Sequence, residues 1–271
     1  GLFLSFFLKI WDSLIFLRFI NCMWLVLTAV ILYKLNKNIK VLLLWFLSPI
    51  LWYMAPYIHP LPMATFLLTL SYYFIKKYES EKTIRTLVIS GLFLGASALF
   101  WDGMLVLSVF FILAFFYNKK LYEAIYFSIA FCFIFSIKLI TDWVLFDFPF
   151  FSIFRQLGSG ALFFLRKAAF SNADHFTAHT PVQIFLMFIA ISPFLFSIYR
   201  SFREHREEVF FIILIFLFHF FNSQLRYMII IAPLSLLLIS KHISKKELIV
   251  NSFLSLLLIV FLIYPAFADT T

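Results

Sequence analysis

The basic residues of this 271-residue chain collect in every second short gap between apolar segments. Fifteen of the 22 Lys and Arg residues lie in five such gaps, at 34–40, 76–85, 119–120, 200–206 and 241–246. Membrane proteins keep Lys and Arg on the cytoplasmic side, so this spacing predicts a polytopic membrane topology with these gaps in the cytoplasm. All seven Glu lie in or beside the same gaps, whereas all six Asp lie in the other compartment.

Composition supports an integral membrane protein. Residues are 64% hydrophobic and only 13% charged, and a soluble globule of this size would expose too much apolar surface. The net charge of +9 does not indicate a nucleic-acid partner, because anionic lipid and topology already explain basic loops next to a bilayer. Cys22 and Cys132 lie inside apolar runs, which argues against a disulfide or a Cys-based metal site.

Apolar runs predict about ten membrane crossings, all helical, because an open sheet edge is not stable in lipid. The runs are 16–33, 41–55, 61–75, 86–100, 104–117, 121–140, 182–199, 209–222, 227–240 and 248–267. Several are shorter than the hydrocarbon core, which favours protected cavities or a thinned outer edge. The fold class is therefore all-α and polytopic, in a plasma membrane that we expect to be prokaryotic.

One long segment, 141–181, is predicted to be an extracytoplasmic loop with a helix lying in the membrane interface. No internal repeat or linker divides the chain, so residues 1–271 are expected to form a single transmembrane domain. The sequence begins at Gly1 without a signal peptide, and we expect a truncated or processed N-terminus.

Arg226 is the most informative single charge. It lies at the outer entrance of an apolar helix, on the side where Arg is disfavoured. One interpretation is a surface Arg that extends to the headgroups. The other is a guanidinium that binds an anionic headgroup, since its planar fork binds phosphate with two hydrogen bonds.

Two short outer turns carry further candidates. Asp102, in the turn Trp101-Asp102-Gly103, either caps the next helix or provides a carboxylate that orients a hydroxyl. His59 lies in a turn with Pro56, Pro60 and Pro62, where its imidazole makes local hydrogen bonds or acts as a ligand or acid–base group.

The long loop offers a weaker set of candidates. His175 and His179 would bind a divalent cation only if that stretch were helical, so we predict no metal site and no certain cofactor. His219 faces an apolar run and is expected to be a packing residue. The remaining charged residues form an interfacial set whose simplest interpretation is a solvated amphipathic face: Asp142, Asp147, Arg155, Arg166 and Lys167.

Four groups of segments stand out when they are taken in order along the chain. They are Trp11-Asp12-Ser13 with Leu14-Ile15-Phe16-Leu17-Arg18-Phe19-Ile20-Asn21 and Tyr33-Lys34-Leu35, Ser48-Pro49 with Tyr57-Ile58-His59-Pro60, Gly91-Leu92-Phe93-Leu94-Gly95 with Ala98, and Leu225-Arg226-Tyr227 with Ala232-Pro233-Leu234. These segments resemble the GT-C glycosyltransferases, which use polyprenyl-phosphate sugars and include protein O-mannosyltransferases and aminoarabinose transferases. The resemblance covers most of the chain.

The resemblance implies inverting transfer of a sugar from a polyprenyl-phosphate carrier to a lipid, glycan or protein hydroxyl at the extracytoplasmic face. Arg226 matches the late basic residue that neutralises the phosphate, with Tyr227 beside it, and Arg155 or Lys167 adds charge by location. The family's catalytic acid lies just after the first membrane helix, so we expect it upstream of Gly1, and Asp102 is the best acid that remains.

Three alternatives stay open. An O-antigen polymerase or ligase would depend on Arg and His of the 141–181 loop. A lipid or solute carrier would recognise the headgroup at Arg226 without turnover. A non-catalytic subunit or inactive GT-C relative would explain the missing acid.

Overall fold

The computed structural model describes residues 13–101, 103–117, 120–155, 181–220 and 225–268, and all regular secondary structure in these ranges is helical. The α-helices are α1 (Leu14–Asn36), α2 (Ile39–Phe46), α3 (Pro49–Met54), α4 (Leu61–Glu81), α5 (Ile84–Phe100), α6 (Gly103–Tyr117), α7 (Leu121–Phe146), α8 (Pro181–Ile191), α9 (Arg206–Phe220), α10 (Met228–His242) and α11 (Lys245–Ala268). Two 3₁₀ helices, Leu195–Ser201 and Leu225–Tyr227, precede α9 and α10, and a short helical turn covers 151–155.

Three described helical stretches are long and apolar enough to cross a membrane, namely α1, α7 and the continuous stretch Leu225–His242. The 23 residues of α1 extend roughly 34 Å at 1.5 Å per residue. Helix α7 presents a stripe of large apolar side chains, each more than half exposed, at Ile129, Phe133, Ile140 and Val144. A stripe of this length suits lipid rather than water. The expectation of an all-helical fold is confirmed for the described residues, and three apolar helices of membrane-spanning length suggest a membrane protein. The number of ten crossings stays a prediction.

The chain divides into two compact units. Unit 1 comprises Gly1–Thr69, Thr180–Phe216 and Leu225–Thr271, and unit 2 comprises Leu70–His179 and Leu217–Gln224. The boundaries fall inside α4 and α9, so each of these helices contributes one segment to each unit.

Helix α10 is the centre of unit 1. It packs against α1, α2, α3, α8 and the 3₁₀ helix Leu195–Ser201. Twelve of its fifteen residues are buried, from Met228 to Ser240, so it is apolar and enclosed on every side. Pro233 lies inside this helix, where it removes one backbone donor and disfavours a straight helix.

Two apolar runs that were expected to be single crossings are broken in the structure. The run 41–55 forms two helices, because Pro49 starts α3 and Ser48 leaves the helix to donate a hydrogen bond to the Ile191 carbonyl at 2.7 Å. The run 182–199 ends as an α-helix at Ile191, because Pro193 follows and the chain continues as a 3₁₀ helix. Proline lacks the N–H that helix continuation needs.

The predicted boundary at residue 141 is also wrong, because α7 continues to Phe146 and ends at Asp147, which adopts a left-handed conformation. The Asp147 N–H donates to the Trp143 carbonyl at 2.8 Å. Asp142, which was placed in the solvated interfacial set, is buried and accepts hydrogen bonds from the Ser152 N–H at 2.9 Å and the Ser152 hydroxyl at 2.7 Å. It stabilises the helical turn at 151–155.

Unit 2 depends on a close approach of α5 and α7. A Cβ atom added to Gly91 would lie 2.5 Å from the Phe127 carbonyl oxygen, and one added to Gly95 would lie 2.7 Å from the Phe131 carbonyl oxygen. Small residues four apart allow such backbone contact between membrane helices. The buried hydroxyls of Ser71 and Ser90, 2.9 Å apart, link α4 to α5.

Three basic gaps of unit 1, with the residues directly after them, meet at one end of the unit. We call this end the basic end, and it comprises 34–40, 200–208 and 241–247. The Lys40 ammonium donates to the Ile243 carbonyl at 2.7 Å, and the Lys241 Nζ lies 2.9 Å from the His205 Nε2. The other two gaps lie in unit 2, where the Tyr78 hydroxyl donates to the Glu123 carboxylate at 3.0 Å. Basic gaps that are distant in sequence are therefore neighbours within each unit.

A reciprocal cap starts α11 at the basic end. The Ser244 N–H donates to the Glu247 carboxylate at 2.8 Å, and the Glu247 N–H donates to the Ser244 hydroxyl at 3.2 Å. Glu247 also forms an ion pair with Arg200 at 2.9 Å. This ion pair, followed by the Ser244 hydrogen bonds, lowers the pKa of Glu247 to about 2.

We expect Gly91→Ala to destabilise the protein, although Ala is a better helix former than Gly by about 1 kcal/mol. The added methyl meets a backbone carbonyl that cannot rotate away, and overpacking of this kind costs roughly 1–3 kcal/mol. The measurement is thermal unfolding in detergent. Ala96→Leu, on the same helix but only half-buried, is the control. A raised melting temperature in Gly91→Ala would contradict the close contact.

We expect Glu247→Gln to lower the melting temperature at neutral pH and to match wild type in strong acid. The folded pKa of Glu247 lies below the unfolded value of about 4.3, so its stabilisation is present above that value and is lost as pH falls towards 2. Thermal unfolding at pH 7, 5, 4 and 3 tests this. A difference between the two proteins that does not shrink below pH 4 would refute it.

Candidate functional site

The proline-rich loop between α3 and α4 is held by side chains of α1. The Asn21 amide donates to the Tyr57 carbonyl, and the Cys22 thiol lies 3.8 Å from the Ala55 carbonyl. Non-helical backbone near a membrane needs partners of this kind, because no bulk water satisfies its carbonyls. The loop Ala55–Pro60 is therefore fixed to the first part of α1.

His59 ends this loop and caps the next helix. Its Nδ1 accepts a hydrogen bond from the Leu61 N–H at 3.2 Å, so that nitrogen carries no proton. Burial, with a further contribution from the Arg226 charge, lowers the pKa of His59 to about 4. The imidazole is therefore neutral at physiological pH, with its proton on Nε2. This geometry favours a hydrogen-bond donor to an acceptor ligand and disfavours a general base.

Arg226 lies in the 3₁₀ helix Leu225–Tyr227, which packs against α3 and α8. Its guanidinium carbon is 5.3 Å from the centroid of the Tyr227 ring. Its Nε is buried and has no hydrogen-bond partner among the residues that the structure describes. An unmade hydrogen bond at a buried charged donor costs about 1–3 kcal/mol or more, so a ligand oxygen at this nitrogen would be stabilising.

Aromatic side chains lie near this charge, since Arg226 contacts the Tyr227 ring and acts electrostatically on Tyr53. The rings of Tyr53 and Tyr57 are in contact, with centroids 5.2 Å apart, and Tyr57 is 41% exposed. We name the group formed by Tyr53, Tyr57, His59, Arg226 and Tyr227 the Arg226 cluster. It combines one cation, one neutral imidazole and three phenols, which suits an anion that accepts hydrogen bonds and carries a ring able to pack on aromatic faces.

The Arg226 cluster and the basic end lie at opposite ends of two helices. Helix α1 contacts the loop through Asn21 and ends at Asn36, whose amide donates to the Ser240 hydroxyl at 2.6 Å. Helix α10 begins directly after Arg226 and carries Lys241 in its last turn. All four described acidic residues of unit 1 lie at the basic end: Glu204, Glu207, Glu208 and Glu247.

The structure brings three of the predicted site residues together, namely His59, Arg226 and Tyr227. Arg155 lies in unit 2, exposed, in the helical turn 151–155. The side chain of His219 and the remaining candidates lie outside the described residues: Asp102, Arg166, Lys167, His175 and His179. Among the side chains that are described, no three His, Cys, Asp or Glu residues gather as a metal site would require.

Sequence reasoning missed Asn21 and Tyr53 as parts of this site. Asn21 is 3% exposed inside an apolar helix, and a lone amide in such a run indicates a carbonyl that needs a donor. Tyr53 gave no signal, because one aromatic residue among many apolar ones does not show which way it faces.

Comparison with protein-family models, curated proteins and solved structures finds no match for this chain. Function is therefore argued from the residues of the Arg226 cluster and from the order of motifs along the chain.

We expect His59→Ala to destabilise the protein by about 1 kcal/mol through loss of the cap, and His59→Asn to retain most of the stability, because its amide oxygen also accepts the Leu61 N–H. The folded pKa of about 4 lies below the unfolded value of about 6.5, so wild type loses stability as pH falls from 6.5 to 4. Thermal unfolding should show a weaker loss for His59→Asn over this range. Equal pH profiles would contradict the buried neutral imidazole.

Proposed function

We propose that this chain is a polytopic membrane glycosyltransferase of the GT-C type, whose Arg226 cluster binds the phosphate of a polyprenyl-phosphate sugar at the extracytoplasmic face. The observation that carries this proposal is the buried Arg226 Nε, which has no hydrogen-bond partner in the described part of the chain and lies near a neutral imidazole and a phenol ring. We further propose about ten crossings in a prokaryotic plasma membrane, with the basic gaps in the cytoplasm.

The ligand chemistry follows from the side chains. A sugar phosphodiester brings one negative charge, several acceptor oxygens, a sugar ring and a prenyl tail. Arg226 supplies a positive charge and N–H donors to the phosphate. His59 adds one N–H donor, and its imidazole is neutral. Tyr53 and Tyr57 provide faces for the ring, and the lipid-exposed helix surfaces leave the tail in the bilayer.

The reaction would form one bond and break one at the anomeric carbon of the sugar. The acceptor hydroxyl oxygen bonds to that carbon as the phosphate leaves with the electron pair, and a carboxylate takes the hydroxyl proton. Arg226 stabilises the charge that develops on the departing phosphate, which is the larger share of such catalysis. The cationic residue is then needed for turnover as well as for binding.

A second candidate is a carrier for the same lipid-linked sugar. It is favoured by the placement of carboxylates, since every described acidic residue of unit 1 lies at the basic end, away from the Arg226 cluster. A carrier needs recognition of the phosphate but no base. An O-antigen ligase or polymerase would instead depend on Arg and His residues of the loop 141–181.

We expect Arg226→Ala to weaken binding of a short-chain polyprenyl-phosphate sugar about tenfold to a hundredfold, the usual worth of a charge-assisted hydrogen bond. Arg226→Lys should retain part of the affinity, because it keeps the charge but loses the planar fork. The measurement is calorimetric titration of the purified protein, together with transfer of radiolabelled sugar to membrane acceptors.

Arg203→Ala is the matched control, because Arg203 is an exposed arginine at the basic end of the same unit. Unchanged binding in Arg226→Ala would refute the phosphate site. Binding that depends on Arg226 without any transfer by wild type would refute the glycosyltransferase and favour the carrier. Loss of transfer on replacing Arg and His in 141–181, with Arg226 dispensable, would favour the ligase.

A further inference from the structure

Six basic side chains at the basic end are exposed and make no ion pair with any described residue: Lys34, Lys37, Arg203, Arg206, Lys245 and Lys246. Of the carboxylates nearby, Glu247 pairs with Arg200, and the Glu208 carboxylate lies 3.7 Å from the His205 ring. Glu204 and Glu207 are exposed, and neither pairs with any of the six cations. A surplus of positive charge therefore remains on this surface.

Contacts within unit 1 hold this charge in one place. Lys40 donates to the Ile243 carbonyl, and Lys241 contacts His205. The Arg200–Glu247 ion pair links the 3₁₀ helix Leu195–Ser201 to the start of α11. Three stretches of chain that are far apart in sequence thus present their cations on one surface.

Exposed aromatic residues lie among these cations. Tyr33 is 45% exposed beside Lys34, and Tyr199 and Phe202, at 66% and 50%, flank Arg200. Phe196, on the same 3₁₀ helix, is 63% exposed, whereas Leu195, Ser197, Ile198 and Ser201 face the interior. Alternating cations and aromatic rings at the end of a membrane-length helix are typical of the headgroup layer of a bilayer.

We propose that the basic end binds the headgroups of anionic phospholipids, with the segment Leu195–Arg203 lying in the headgroup layer. An acidic soluble protein fits this surface less well, because the exposed rings between the cations would stay in water. The proposal is independent of the Arg226 cluster, which lies at the other end of α10.

The strength of the interaction follows from the charges. Each Lys or Arg near an anionic bilayer surface contributes an attraction that corresponds to about a fivefold change in affinity. The attraction should weaken strongly in 1 M salt, where the screening length falls to about 3 Å.

The test is native mass spectrometry of the purified full chain in dodecyl maltoside, mixed with equal amounts of phosphatidylglycerol and phosphatidylcholine. We expect wild type to retain phosphatidylglycerol several-fold more than phosphatidylcholine. A quadruple variant should bring that ratio close to one: Lys34→Gln, Lys37→Gln, Arg203→Gln and Lys245→Gln. Equal retention of both lipids by wild type, or an unchanged ratio in the variant, would overturn the proposal.

Three controls separate charge from folding and from other anion sites. Replacing Lys34, Lys37 and Lys245 by Arg should keep the preference, and its loss would show that charge is not the cause. Lys76→Gln with Lys77→Gln, which removes cations already paired with Glu79 and Glu81 in unit 2, should also keep it. Abolition by millimolar inorganic phosphate would indicate a site for a soluble anion and overturn the lipid assignment.

Discussion

The need to pair backbone carbonyls that are buried away from bulk water is the constraint on which unit 1 depends. Its helices are interrupted near Ser48, in the loop Ala55–Pro60 and after Ile191, and each interruption exposes carbonyls that need donors. Donors come from side chains of other segments: Ser48 bonds the Ile191 carbonyl, and Asn21 bonds the Tyr57 carbonyl. These few hydrogen bonds allow the broken helices that shape the Arg226 cluster.

Charged groups are also distributed unevenly along unit 1. Carboxylates and most cations gather at the basic end, where they form ion pairs or face the headgroup layer. At the other end the Arg226 Nε is buried without a hydrogen-bond partner among the described residues, and the neighbouring imidazole stays neutral. A buried cationic donor beside neutral donors is the arrangement on which the proposed phosphate site rests.

Much of the fold could be predicted from the sequence, because charge spacing and apolar length are strong physical signals. His59 and Arg226 were both predicted to lie on the outer side, but their proximity to each other was not predicted. The helix breaks after Phe46 and Ile191 were missed, because one Ser-Pro pair lowers the mean hydropathy of an apolar run too little to divide it. Asp142 was misplaced because its partner, Ser152, lies ten residues later, where sequence gives no sign of a buried cap. Contacts between distant segments, such as Asn21 with Tyr57, leave no periodic signal.

The burial of α10 on every side has a consequence for genetics. Met228, Ala232, Leu236 and Ile239 have no exposed surface, and the helix starts directly after Arg226. Substitutions along α10 will therefore move or unfold this helix, which orients the Arg226 guanidinium. In an unbiased screen for loss of function, substitutions in 228–240 will outnumber substitutions of residues that contact a ligand. Only variants with normal expression and melting temperature will identify residues of the site.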